Sequence, residues 1–130
     1  ASDVYKRQGD EGPLAGLAAA LREIPEARRV AYVACDMPAL DARVIELLHA
    51  RAAERSLDVC MLETTGGAEP LCAVYDRAVL PAVEAALARG ERRMLAFHRD
   101  VRVGTLHERE LPSELTGCAR NLNTPEDLAS

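Results

Sequence analysis

Helix-type and strand-type segments alternate along this chain, and their order constrains the fold more than any other feature of the sequence. In some segments apolar residues recur with the 3.6-residue period of a helix, whereas others are short apolar runs typical of buried strands. The predicted order is helix, strand, helix, strand, strand, helix and strand. Such alternation is typical of a layered α/β fold, so we expect a mainly parallel sheet covered by helices.

The first helix is predicted in the segment GPLAGLAAALREIP, residues 12–25. Gly12 is expected at the cap and Pro13 at the first helical position, where the missing N–H of proline costs nothing. Gly12 and Gly16 would let a ligand approach closely, and the free N–H groups at the helix start favour an electron-rich partner. The segment has neither the glycine spacing nor the lysine of a P-loop, so an ordinary packing helix is the alternative. Its apolar face is predicted from Leu14, Leu17, Ala18 and Leu21.

The remaining elements follow from apolar periodicity and from turn residues. Strands are predicted in the segments RRVAYVAC, LDVCMLE, PLCAVYD and VRVGTL, with the loop TTGGAE between the second and the third. Further helices are predicted from about Asp41, in RAVLPAVEAALARG, in RRMLAFHRD, and from Thr124 onward. Pro81 is expected in the first turn of its helix and Gly90 at the end of the same helix.

An acidic residue, Asp36, follows directly after the apolar run VAYVAC. Pro38 disfavours the helical conformation at Met37, so the chain is expected to leave the sheet extended. In open α/β sheets ligands bind beyond the carboxyl ends of the strands, and a carboxylate there suits a hard cation such as Mg2+. Asp-x-Pro is also common turn chemistry, and this stretch alone supports a turn cap and a metal site equally.

Polar residues flank two other predicted elements. Glu69 and Pro70 lie between a Gly-Gly turn and a buried strand, where Glu69 either meets a substrate or is simply solvated. Asn121 and Asn123 alternate on one side of an extended segment just before the helix predicted from Thr124. Their amides suit hydrogen bonds to a ligand or a metal-bound water, and the alternative is a loop tied down by side-chain-to-backbone bonds.

Composition excludes several classes of function. The formal net charge of -5 and the scattered arginines argue against sequence-independent binding to nucleic acid. No stretch approaches the ~20 apolar residues of a membrane span, so we expect no membrane partner and a cytoplasmic location. The four cysteines form no C-x-x-C pair, so unpaired thiols are expected and no structural zinc. No serine or cysteine has catalytic partners at a recognised spacing, so nucleophilic catalysis is not predicted.

Four segments, GPLAGL, ACDMP, EPLCAVY and NLNTPEDL, occur in this order, and together they resemble the molybdenum cofactor guanylyltransferases, which are MobA-like nucleotidyltransferases. The similarity spans residues 9–129. It implies a Rossmann-like nucleotidyltransferase fold with three layers, α/β/α, and a mainly parallel sheet. It also implies transfer of GMP from GTP to the phosphate of molybdopterin, with release of pyrophosphate and with Mg2+ as cofactor.

The resemblance assigns roles to two of these segments on the nucleotide side. Asp36 of CDMP matches the family's magnesium-binding aspartate, which makes it the expected catalytic and metal-binding residue. Gly12, Pro13, Leu14 and Gly16 match a segment that lines the nucleotide site. The implied reaction needs no protein nucleophile, because the phosphate of molybdopterin attacks the α-phosphorus of GTP. The protein mainly positions the two substrates and neutralises the charge of their phosphates.

The other two segments are matched to the acceptor side. Glu69 and Pro70 correspond to a loop placed toward the pterin, and Asn121 and Asn123 correspond to amides near the active site. GTP and molybdopterin are the expected partners, together with molybdoenzymes or their chaperones.

The beginning of the chain departs from the family. Members begin with a strand and a Gly-rich loop of the type L-A-G-G-x-S-x-R-M-G, followed by a lysine, and neither is present here. Residues 1–8, ASDVYKRQ, resemble a translated cloning adaptor, so we interpret them as a non-native scar and residues 9–130 as a partial domain. We expect such a fragment not to turn over GTP by itself.

Three alternatives stay open at this point. Instead of a guanylyltransferase, the protein could be a molybdopterin cytidylyltransferase, another small-molecule nucleotidyltransferase, or a non-catalytic nucleotide-binding adaptor of the same fold. Met37 after the acid favours the guanylyl branch, because cytidylyl relatives more often have glutamine there.

Overall fold

The computed structural model of the chain describes residues 12–33 and 42–115. The helices within these ranges are α1 Pro13–Glu23, α2 Ala42–Arg55 and α3 Leu80–Ala88. The strands are β1 Arg29–Val33, β2 Val59–Thr64, β3 Gly67–Asp76 and β4 Val103–His107. Short 3-10 helices span Arg77–Val79, Met94–Asp100, Glu108–Glu110 and Ser113–Leu115. None of the described helices has the length and apolar character needed to cross a membrane.

Helix boundaries follow the predicted signals. Gly12 is the N-cap of α1 with φ 96°, a conformation that favours glycine, and Pro13 is the first helical residue. In α3, Pro81 lies in the first turn, and Gly90 with φ 84° follows the C-cap Arg89. Local residue chemistry is therefore enough to start and stop these helices.

The described strands form one mixed sheet in the order β1-β3-β2-β4. β3 pairs antiparallel with both β1 and β2, whereas β2 and β4 are parallel neighbours. The prediction of a mainly parallel sheet is therefore wrong. The cause is the tight connection between β2 and β3, because so short a turn joins only antiparallel strands, and β3 then separates β1 from β2.

The β2–β3 hairpin also differs from the predicted loop over residues 64–69. β2 ends at Thr64 and β3 begins at Gly67, so most of that segment is strand. Met61 pairs with Ala73, but the next residue of β2, Leu62, pairs with Glu69. Residues 70–72 of β3 therefore bulge away from β2, which accommodates Pro70 and its missing N–H.

Helices cover both faces of the sheet, so the three-layer α/β/α arrangement is confirmed for the described residues. Along β1, Val30 and Tyr32 point into one core with α1, α3 and the 3-10 helix Met94–Asp100. Ala31 and Val33 point into a second core with α2. This alternation of buried side chains on both faces explains why the strand is a continuous apolar run.

The pairings define two ends of the sheet. β1, β2 and β4 run in the same direction, so their last residues, Val33, Thr64 and His107, lie at one end, which we call the carboxyl edge. Cys72 pairs with Val33, which brings the bulge of β3 to the same edge. The amino edge is the other end, where Arg29 pairs with Asp76.

Candidate functional site

A pocket of about 430 Å³ opens beside the bulge of β3 at the carboxyl edge. Three separate segments supply its walls: the start of α1, the bulge itself, and the 3-10 helix Met94–Asp100 with the residue before it. Apolar side chains line most of it, with one guanidinium. The lining residues are Pro13, Pro70, Leu71, Arg93, Met94, Leu95 and Ala96.

The first wall belongs to the GPLAG segment, which was predicted on the nucleotide side. Pro13 lines the pocket, and Gly12 precedes it with φ 96° and ψ 169°. The side chain of Leu14 is fully buried in the core beneath α1, so only its backbone can face a ligand. The structure thus places Pro13, and not the side chain of Leu14, at the pocket surface.

Gly16 of the same segment lies against Tyr32 of β1. A Cβ atom built on Gly16 would come closer than 3.0 Å to the Tyr32 hydroxyl oxygen, nearer than real Cβ atoms approach. That hydroxyl donates a hydrogen bond of 2.9 Å to the carbonyl oxygen of Pro13. Packing against Tyr32 is therefore a sufficient reason for glycine at position 16.

The second wall belongs to the EPLCAVY segment, which was predicted on the pterin side. Pro70 and Leu71 line the pocket, and the Tyr75 hydroxyl donates a hydrogen bond of 2.5 Å to the carbonyl oxygen of Pro70. Glu69 is half-buried and pairs with Leu62 in the sheet, just outside the lining. Pro13 and Pro70, from two segments far apart in sequence, therefore face the same cavity.

The third wall was not identified from the sequence. Arg93 brings the positive charge, Met94 is buried beneath the surface, and Leu95 is 57% exposed. The two consecutive arginines before the segment MLAF were the available signal, since neighbouring positive charges attract an anionic ligand. The segment was predicted as a short helix, and that prediction is confirmed.

The described cysteines behave as small buried hydrophobes, as predicted. Burial raises the pKa of the Cys60 thiol to about 11, even though neighbouring arginines oppose the shift. Burial and the charge of Glu69 raise the pKa of the Cys72 thiol to about 12. Neither thiol supplies a thiolate at neutral pH, so neither is a nucleophile for this site.

Several predicted residues lie outside the described ranges: Asp36, Asn121, Asn123 and the helix expected from Thr124. Val33, the last residue of β1, lies at the carboxyl edge and precedes Asp36 by three positions in the sequence. Within the described residues, 12–33 and 42–115, no group of three or more His, Cys, Asp or Glu side chains could hold a metal ion.

Comparison with known proteins identifies a family and several relatives of this chain. The family profile of the MobA-like NTP transferase domain matches residues 3–103. A "Probable molybdenum cofactor guanylyltransferase" of Carboxydothermus hydrogenoformans is 33% identical over 127 residues, 95% of this chain and 63% of that protein. A molybdenum cofactor guanylyltransferase of Photobacterium profundum is 30% identical over 117 residues, 90% of this chain and 57% of that protein.

A solved structure shows the same fold. Molybdopterin-guanine dinucleotide biosynthesis protein A of Archaeoglobus fulgidus superposes with a TM-score of 0.73 and 29% identity, over 91% of this chain and 60% of that one. The chain therefore spans 57% to 63% of the length of these relatives. Because the family profile covers most of its residues, the chain belongs to the MobA-like NTP transferase domain family.

Proposed function

We propose that the whole protein is a molybdenum cofactor guanylyltransferase, which transfers GMP from GTP to molybdopterin and releases pyrophosphate. The observation that carries the proposal is the shared pocket of Pro13 and Pro70. Pro13 belongs to the segment matched to the nucleotide side, and Pro70 belongs to the segment matched to the pterin side. A transferase must hold its two substrates next to one another, and these segments meet at one cavity.

The chemistry of the pocket suits the acceptor. Proline, leucine and methionine walls accept a flat heterocycle such as a pterin ring. Arg93 offers a planar guanidinium that can form two hydrogen bonds with a phosphate group. We assign Arg93 to the phosphate of molybdopterin, which it would hold while that phosphate attacks the α-phosphorus of GTP.

Asp36 is assigned as the ligand of Mg2+. Ligands of open α/β sheets gather at the carboxyl ends of the strands, and β1 ends at that edge three residues before Asp36. A single carboxylate together with substrate phosphates is a common way to bind Mg2+, so no cluster of protein ligands is required. When bound, the ion compensates the negative charge of the phosphate oxygens.

The cytoplasm is the proposed location. Cys60 and Cys72 are both free and buried in the structure. Unpaired thiols are typical of proteins from reducing compartments.

Replacement of Asp36 tests this proposal. In the whole protein we expect Asp36→Ala to lower Mg2+-dependent formation of the guanine dinucleotide by a factor of roughly 100 or more, with an unchanged melting temperature. Asp100→Ala is the control, because Asp100 is an exposed aspartate outside the pocket lining. Equal activities of the two variants would contradict the assignment of Asp36, and a wild-type protein that forms no dinucleotide would favour a non-catalytic adaptor.

A further inference from the structure

Two buried tyrosines lie beneath opposite walls of the pocket, Tyr32 on β1 and Tyr75 on β3. We propose that Tyr32 and Tyr75 are positioning residues, which fix the spacing between the nucleotide-side wall at Pro13 and the acceptor-side wall at Pro70. The identity of the two substrates rests on the proposed function, whereas the positioning itself rests on the contacts described next.

Tyr32 holds the first wall through its hydroxyl group. The residue is 1% exposed, and its O–H donates to the Pro13 carbonyl oxygen at 2.9 Å. Burial raises the pKa of Tyr32 above its ordinary value, so the hydroxyl keeps its proton at physiological pH. The first residues of α1 are thereby tied to β1, the strand that leads toward Asp36.

Tyr75 holds the second wall in the same way. It is fully buried, and its hydroxyl donates to the Pro70 carbonyl oxygen at 2.5 Å. Burial also raises the pKa of Tyr75 well above its ordinary value. Pro70 lies in the bulge, where β3 has lost its pairing with β2, so the tyrosine supplies a partner that β2 does not.

Aromatic contacts join the two tyrosines to each other and to the third wall. The rings of Tyr32 and Tyr75 meet edge to face, with centroids 6.4 Å apart and planes inclined by 74°. Tyr75 contacts Phe97 at 6.3 Å, and Phe97 lies on the 3-10 helix Met94–Asp100, which forms the third wall. One aromatic cluster therefore touches all three walls, and its close packing gives each wall a rigid support.

Gly16 makes the role of the Tyr32 hydroxyl testable. A Cβ atom at Gly16 would overlap the hydroxyl oxygen but would lie 3.4 Å from the ring carbon Cζ, which is ordinary contact. Only the oxygen therefore excludes a side chain at this position. If Gly16 is instead needed so that a ligand can approach, the size of residue 32 is irrelevant.

Four proteins test the positioning of the first wall: wild type, Gly16→Ala, Tyr32→Phe and the double variant. We expect Gly16→Ala to lower the melting temperature by roughly 3–6 °C through overpacking. The double variant should melt within about 2 °C of Tyr32→Phe, because the clashing oxygen is gone. A double variant that melts about 3 °C or more below Tyr32→Phe, or a Gly16→Ala variant as stable as wild type, would overturn the proposal.

Hydrogen exchange separates local positioning from a general loss of stability. The Gly16 amide donates to the Gly12 carbonyl oxygen at 3.2 Å, at the start of α1. Tyr32→Phe should speed exchange of this amide about 5-fold and leave the amides of β2 unchanged. Uniform acceleration throughout the chain, or none at Gly16, would show that the hydroxyl does not hold this wall.

Steady-state kinetics of the whole protein complete the test. Tyr32→Phe should raise KM for GTP about 5-fold with KM for molybdopterin unchanged, and Tyr75→Phe should do the reverse. Equal effects of either variant on both KM values would overturn the proposal. A wild-type protein that does not use these substrates would refute the proposed function, whereas the melting and exchange results would still decide the positioning.

Discussion

The two ends of the sheet use their polar groups differently. At the amino edge, buried Asp76 accepts hydrogen bonds from Arg28 and from the backbone N–H of Ala78, and lies 3.6 Å from Arg29. Arg77 at the same edge donates hydrogen bonds to the backbone carbonyls of Ile24 and Ala27, in the loop between α1 and β1. At the carboxyl edge, by contrast, tyrosine hydroxyls hold the backbone from below and leave an apolar cavity open. Ion pairs and hydrogen bonds therefore close the amino edge, whereas the carboxyl edge has an open cavity.

Replacement of Asp76 is expected to have the largest effect on folding. Asp76→Ala removes a helix cap and leaves the buried Nε of Arg29 without its acidic neighbour, so we expect a loss of about 3 kcal/mol in the free energy of unfolding. Urea denaturation measures this loss. Glu84→Ala, which breaks the exposed ion pair with Arg22, is the control and should cost below about 1 kcal/mol. Equal losses would refute the contrast between buried and exposed acids.

Replacement of Arg93 probes the open edge. Arg93→Ala should raise KM for molybdopterin roughly 10-fold or more, because a charge-assisted hydrogen bond contributes about 1.5–3 kcal/mol. KM for GTP and the melting temperature should not change. Arg92→Ala is the matched control, since Arg92 is an exposed neighbour outside the pocket lining. Similar KM values of the two variants for molybdopterin would show that Arg93 does not bind this substrate.

The smallest effect is expected at Glu110, which accepts a hydrogen bond from Arg51 beside β4. This bond, with a second from the backbone of His107, lowers the pKa of Glu110. A lowered pKa in the folded state means stability that is present at neutral pH and is lost as the pH falls through that pKa. Because Glu110 is largely exposed, Glu110→Gln should cost at most about 0.5 kcal/mol near pH 7.

The pH series gives the corresponding check. The difference between wild type and Glu110→Gln should shrink below about pH 5 and vanish in more acidic buffer. Glu46→Gln, at an exposed position of α2, corrects for the change in net charge alone. A difference that grows as the pH falls would have the wrong sign for a lowered pKa.

Local signals in the sequence predicted the elements well, because each depends on a few adjacent residues. Gly12 with Pro13 starts α1, and Gly90 follows the end of α3, as their backbone preferences require. Strand pairing depends on distant residues, so the insertion of β3 between β1 and β2 was missed. The bulge at Pro70 was missed for the same reason, although a proline inside a strand was a usable signal.

The site was predicted in part. The GPLAG and EPLCAVY segments do meet at one pocket, through Pro13 and Pro70. Tyr32 was interpreted only as part of an apolar run, because a sequence does not show which backbone carbonyl a buried hydroxyl will reach. Arg93 was counted among scattered arginines, since its place beside the pocket depends on how the chain folds back after α3.

The central claim is guanylyl transfer at the carboxyl edge, and a nucleotide competition tests it most directly. The whole protein is given Mg2+, molybdopterin and equal concentrations of GTP and CTP, and the dinucleotide products are separated and quantified. The account predicts guanine dinucleotide as the main product, with an equal amount of pyrophosphate released. Cytosine dinucleotide as the main product, or no dinucleotide at all, would contradict it.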